Sequence, residues 1–303
     1  MSVWQEEIIM NRPMKTLICI GALLTACGGD DSTPRTGELN LQVTDAPVDS
    51  AEQVVIRFTG VSYKPAGGAP LQVVFDAPKD IDLLALAGGD AAPLVSNAVL
   101  PAGAYEWLRL DVDAAFDTVY DSYIVIAGNQ YELRVPSGAE SGLKLNGGFT
   151  VPQGGAASYT LDFDLRRSIV EPVGQPGYFL KSVIRMVNNA EVGTLAGVVD
   201  GALVASACTG SATGAVYLYQ GADVTPDDVD GLDAEPVASG SVAMQGDGNY
   251  HYTIAFLSPG SYTATYTCDT ATDLPESSEL LAYAGTTNVV ISTGVTTTQD
   301  FLP

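Results

Sequence analysis

Acidic side chains are the chemistry most available in this chain. Asp223, Asp227, Asp228, Asp230 and Asp233 crowd into one Gly- and Pro-containing run, ADVTPDDVDGLDAE. Hard carboxylate oxygens on a flexible loop suit Ca²⁺, which makes Asp227, Asp228, Asp230 and Asp233 the candidate ligands. The run departs from the D-x-[DN]-x-[DN]-G spacing of an EF-hand loop. A solvated acidic loop is the commoner meaning of such a cluster, so no metal is assigned to it. Asp111, Asp113, Asp117 and Asp121 form a second group, and Asp45 with Asp49 a third, each read the same way.

Other chemistry is scarce. His251 is the single histidine, and alternation along its strand turns it away from Tyr250 and Tyr252, toward solvent or a neighbouring strand. There is no H-E-x-x-H, no G-x-S-x-G, no phosphate-binding loop and no dinucleotide fingerprint. Carboxylates alone can hydrolyse a glycoside, which keeps a carboxylate-dependent hydrolase acting on envelope or extracellular glycans as the alternative reading. Asp162 and Asp164 share a strand face with Arg166, however, and opposite charges so placed read better as an ion-pair ladder. Lys181 raises the weaker idea of an isopeptide-linked adhesin module. The expectation is a non-enzymatic protein without catalytic residues or a resident cofactor. Trp107, Tyr217 and Tyr219 are aromatic surfaces for a glycan if exposed, and core residues otherwise.

The cysteines carry an address. Leu17 to Ala26 is apolar except at Gly21 and Thr25, half of the ~20 residues a spanning helix needs. Arg12 and Lys15 precede it, as in a secretory signal. Glu6 and Glu7 sit badly in such a segment and place the true start at Met10 or Met14. Leu24-Thr25-Ala26-Cys27 resembles the bacterial lipobox. That resemblance implies a signal peptide over residues 1–26, lipidation of Cys27 and acylation of the new N-terminus. Two or more acyl chains are what stable anchoring requires. Gly28, rather than Asp, implies the outer membrane of a Gram-negative bacterium, facing the periplasm or the cell surface. Residues 27–36 then form the lipidated tether. Cys19 leaves with the signal, so Cys208 and Cys268 remain as an even pair in an oxidising compartment and are expected to form a disulfide.

Charge narrows the partners. The 303 residues carry a formal net charge of −23, and residues 193–303 hold 13 Asp and Glu with no Lys or Arg. Residues 36–192 hold 10 basic and 19 acidic side chains. Such a surface repels a phosphate backbone, which excludes nucleic acid as a partner. The membrane, through the lipid, and an envelope protein or glycan remain.

The elements that must position these groups are strands. Leu39, Leu41 and Val43 alternate with polar residues, as do Val54, Ile56 and Phe58, with Gly60 marking a bulge. Leu108, Leu110 and Val112 follow the same rule, and so do Tyr159, Leu161, Phe163 and Leu165. Tyr250, Tyr252, Ile254 and Phe256 are expected on one face, and Tyr262, Ala264, Tyr266 and Cys268 on another. Ile81 to Leu86 is the one expected helical turn. The fold class is therefore all-β: two Ig-like β-sandwich domains in tandem after a lipoprotein signal peptide, a transthyretin-like form being what the resemblance given next implies. The boundary falls after residue 190, giving domains over residues 37–190 and 193–303.

Leu100-Pro-Ala-Gly-Ala-Tyr105 and Leu257-Ser-Pro-Gly-Ser-Tyr262 repeat one pattern, L-x-x-G-x-Y, ahead of an alternating strand. With GTLAGVVDG, AVYLYQG and GDGNYHYTIAFLSPGSYTATYTC, the second domain resembles the carboxypeptidase-regulatory-like and transthyretin-like sandwiches. In the first domain GELNLQVTDAPVDSAEQVVIRFTGVSY, IDLLALAGG, LPAGAYEWLRLDV, TLDFDLRRSIV and YFLKSVIRMV occur in order. Together they resemble the bacterial lipoprotein domain of unknown function family 4382, which implies a secreted all-β domain and no established activity.

Overall fold

The computed structural model describes residues 35–46, 51–136, 142–145, 147–275 and 277–303. Cys27, the signal segment and Asp49 lie outside the described residues. Arg35–Pro303 is one compact unit, and its alternating segments are strands in four sheets, none of which mixes residues from before and after Gly193.

In the first half, a four-stranded sheet runs in the order Ile184–Asn188, Ala156–Asp164, Thr36–Ala46, Ala92–Pro101. It faces a nine-stranded sheet built around Gln53–Pro65 and Gly103–Asp113. Period-2 alternation sends one side of each strand inward. Leu39, Leu41 and Val43 thus meet Val54, Ile56, Phe58, Leu108, Leu110, Leu161 and Phe163 in one core. The register slips between Phe58 and Gly60 against both neighbouring strands, so the bulge is where Gly60 marks it. A Cβ at Gly60 would stand 2.6 Å from the Val73 carbonyl oxygen, which explains the glycine. The helical turn lies slightly later than expected, as a 3-10 turn over Leu83–Gly89 that follows the strand Leu71–Asp82.

In the second half, the strands Ala243–Met244, Tyr250–Leu257, Gly193–Val199 and Thr296–Thr298 form one sheet in that order. Pro236–Ser241, Ala215–Gln220, Gly260–Thr267 and Tyr283–Ile291 form the other. Leu195, Val216, Leu218, Tyr252, Ile254, Tyr262 and Tyr266 fill the space between them. Alternation holds to Ile254 and then slips. Phe256 takes φ 54°, and Leu257 occupies the buried position instead. The helix Gly201–Ala207, capped by the Asp200 carboxylate on the Ala202 amide, ends at Cys208. Cys208 is joined to Cys268 by a disulfide.

The repeated L-x-x-G-x-Y turn has one geometry in both halves. The Tyr105 hydroxyl donates to the Pro101 carbonyl at 2.7 Å, and the Tyr262 hydroxyl donates to the Ser258 carbonyl at 2.7 Å. Each tyrosine reaches back four residues and ties the turn to the strand it opens, as a tyrosine corner does. Leu100 and Leu257 are buried beneath.

Candidate functional site

The strand AVYLYQ is buried at every residue from Ala215 to Tyr219. Strict alternation would leave one side exposed, so both faces of this sheet are covered. Val216 and Leu218 enter the sandwich. On the opposite face, Ala215, Tyr217 and Tyr219 form a second cluster with Leu281. What covers them is acidic: the run that follows the strand to Glu235, and the segment from Asp269 to Leu281.

A buried polar pair ties these coverings to the sheet. The Tyr217 hydroxyl donates to Oδ2 of Asp273 at 2.5 Å, and the Tyr219 hydroxyl donates to the Asp227 carbonyl at 2.5 Å. Burial pushes the Tyr219 hydroxyl far above its ordinary value, and that of Tyr283 up to about 12. The Asp273 Oδ1 accepts the Val229 amide at 2.9 Å. Its Oδ2 also meets the Arg166 guanidinium at 3.2 Å, with side-chain exposures of 0% for Asp273 and 10% for Arg166. That guanidinium lies 5.2 Å from the Tyr217 ring centre.

Asp273 has company. Asp228, Asp273 and Glu279 each bring a carboxylate oxygen to within 4.8 Å of the other two. Asp228 is fully buried; its Oδ2 accepts the Glu279 amide, while its Oδ1 has no hydrogen-bond partner. Glu279 is half-buried, with Oε2 on the Leu274 amide at 3.1 Å and Oε1 on the Ser277 hydroxyl. Burial raises the Asp273 carboxyl above its ordinary value. The Val229 amide and Arg166 pull against that, and the charges of Asp228 and Glu279 add to it. Among the described residues this trio is the one grouping of three acidic, His or Cys side chains close enough to share an ion.

Of the four acids the sequence offered for Ca²⁺, the structure brings Asp228 alone into the trio. Asp227 contributes its carbonyl to Tyr219, Asp230 accepts the Leu232 amide at 2.7 Å, and Asp233 is exposed with φ 45°. Asp223 is pinned to Asn288 by two hydrogen bonds of 2.8 Å. The sequence does not single out Asp273 and Glu279, because neither stands in a recognisable spacing with Asp228. The signal that could have found the place is AVYLYQ itself, apolar on both faces beside an acidic loop.

Several of the remaining candidates have structural partners. Asp111 accepts from Ser62 and Gln72 at 2.9 Å and pairs with Arg109; Asp121 pairs with Arg57. Asp162 pairs with Arg185 at 2.5 Å, and Asp164 with Arg167 at 2.7 Å. Asp162 and Asp164 are therefore held by arginines of their own half. His251 Nε2 lies 2.9 Å from an Asp247 oxygen at the surface. Tyr217 and Tyr219 are core residues, so neither can stack on a sugar; Trp107 is half-buried under the Lys144 ammonium. Lys181 is exposed and lies outside the strands.

Beside the trio, a groove of about 490 Å³ runs between the halves. Ile124, Ile126 and Ile169 line it from the first half, and Thr270, Leu274 and Pro275 from the second. Arg166, Glu171 and Asp273 supply its charge. Among the described residues no helix is long and apolar enough to cross a membrane.

No curated protein matches the chain. Among solved structures, the Bacillus anthracis TIE protein is 10% identical over 87% of this chain, with a TM-score of 0.19. This chain spans 33% of that protein's length. GBS52, the minor pilin of Streptococcus agalactiae, is 13% identical over 87% of this chain and 96% of its own, with a TM-score of 0.19. The fimbrial anchor protein Mfa2 from Porphyromonas gingivalis is 9% identical over 78% and 79%, with a TM-score of 0.17. Superpositions at that level carry no functional inference. Residues 36–182, which build most of the first pair of sheets, match the model described as Domain of unknown function (DUF4382).

Proposed function

We propose that this is a non-enzymatic protein of the cell envelope, lipidated at Cys27, anchored in the outer membrane, and engaged in binding or structural work there. The division into domains at 37–190 and 193–303, the second a carboxypeptidase-regulatory-like sandwich, is part of the same reading. The observation that carries it is the fate of the acids. The carboxylates a hydrolase would need are committed to neighbours: Asp162 to Arg185, Asp164 to Arg167, and both oxygens of Asp273 to Val229, Tyr217 and Arg166.

Glu171 and Asp273 both line the groove. A retaining or inverting glycosidase uses both carboxyls of its pair at the substrate. Asp273 is instead an anchor for the loop above it. A half-apolar groove whose buried acid, Asp273, is already bonded suits holding a protein segment or a glycan better than cleaving one.

The anchoring is tested by fractionating cells that express the chain with Cys27→Ser. The unmodified protein is expected in the outer-membrane fraction with an acylated N-terminal cysteine by mass spectrometry, and the variant in the soluble fraction. A variant that still sediments with the membrane overturns the lipid anchor.

A further inference from the structure

We propose that Asp228, Asp273 and Glu279 bind one calcium ion, which clasps the two acidic segments over the outer face of the Tyr217–Tyr219 strand. Two features point there. The first is the convergence of three carboxylates to within 4.8 Å. Calcium–oxygen bonds are 2.3–2.6 Å long, so two ligands on opposite sides of one ion stand about 5 Å apart, and the trio spans a single ion. The second is the bare oxygen of Asp228, a fully buried carboxylate whose Oδ1 meets no donor. A buried carboxylate oxygen left without a partner is costly, and a cation removes that cost.

The lone pairs add up. Each carboxylate oxygen can accept twice. Asp273 Oδ1 and both oxygens of Glu279 each take one protein donor, and Asp228 Oδ1 takes none. All three groups therefore keep capacity for a metal after their structural bonds are made. The net charge also calls for one. Arg166 is the cation that reaches the trio, and the second half has no Lys or Arg to offer.

Calcium fits better than magnesium for a physical reason. The ligands come from irregular segments at different points of the chain, and two of the three side chains are buried. Calcium accepts irregular oxygen cages, whereas magnesium demands a near-octahedral one and keeps several waters. The clasp would also set the wall of the groove, because Asp273, Leu274 and Pro275 lie on the segment that it holds.

The test uses the full chain in detergent, stripped with EGTA. Terbium is added with tyrosine excitation, because Tyr217 bonds to Asp273 and can sensitise the ion. Tyrosine-sensitised emission, displaced by CaCl₂, is expected, together with a rise in Tm on adding CaCl₂ that MgCl₂ at equal concentration does not reproduce. Asp228→Asn keeps the shape of the side chain and should abolish both signals. Glu279→Gln, at a half-exposed position that leaves the fold intact, should weaken calcium binding about tenfold through the lost ligand charge. Absence of a calcium response in the unmodified chain overturns the site. So does an equal response to magnesium, or calcium binding in Glu279→Gln as tight as in the unmodified chain.

Discussion

The two halves share a turn and differ in how they settle their charges. Both use the L-x-x-G-x-Y corner with a tyrosine hydroxyl on a carbonyl four residues back. The first half then neutralises its acids with its own arginines: Arg57 with Asp80, Arg109 with Asp111, Arg185 with Asp162. The second half has no Lys or Arg at all. Its acids rest on backbone amides, hydroxyls, His251, and two arginines that reach across from the helix Leu165–Ser168. Arg166 meets Asp273, and Arg167 meets Glu235 at 3.5 Å. A β-sandwich can thus carry a uniformly acidic sequence when amides and a neighbour supply the positive ends of its dipoles. The same half is the one stapled by a disulfide.

The largest difference to probe is that staple. Cys208 and Cys268 are 60 residues apart in sequence, and on the chain-entropy account the bridge contributes about 4 kcal/mol by constraining the unfolded chain. Denaturant unfolding of Cys208→Ala/Cys268→Ala should show the second half melting first, as an early transition in tyrosine signal. A single unshifted transition would mean that the halves do not differ in what holds them.

Next comes the reach across the seam. Arg166→Met removes the positive partner of a buried Asp273 and should cost about 3 kcal/mol in calcium-free buffer, since breaking a buried pair leaves one charge uncompensated. Arg185→Met, at a pair with 28% and 15% side-chain exposure, should cost clearly less by the same denaturant assay. Pairing Arg166→Met with Asp273→Asn should recover most of the loss. Equal costs at the two arginines would break the distinction between the halves.

The smallest effect is the most diagnostic. Asp80 titrates below the ordinary carboxyl value because the Arg57 guanidinium bonds to it. Asp247 is lowered to about 2, first by the Asn249 amide, then by the Asn249 side chain and His251. Both are lowered in the folded state, so each contributes stability that is complete above the unfolded carboxyl value and is lost as pH falls through the folded one. In about 1 M salt, where the screening length is ~3 Å, the Asp80 midpoint followed by NMR should climb toward the ordinary value. Asp247, held mainly by neutral donors, should move much less. Equal movement of the two would show that one mechanism serves both halves.

Much of this fold was legible in the residue order because its causes are local. Period-2 patterning around Leu39, Leu108 and Tyr159 marks strands whose inner faces are indeed buried. The bulge at Gly60 was legible for the same reason, since a glycine inside an apolar strand signals close backbone approach. Where the backbone departs from regularity without a glycine, as at Phe256 with φ 54°, alternation misassigned the face.

The candidate site divides along the same line. Composition and spacing alone established the all-β class, the cysteine pair and an acidic half without a basic residue. Only the folded chain decided that Asp228 meets Asp273 and Glu279. Those contacts join positions tens of residues apart, and they form because Tyr217 and Tyr219, on the outward side of a strand, must be covered. Hydrophobic burial chose the lid, and the lid brought the carboxylates together.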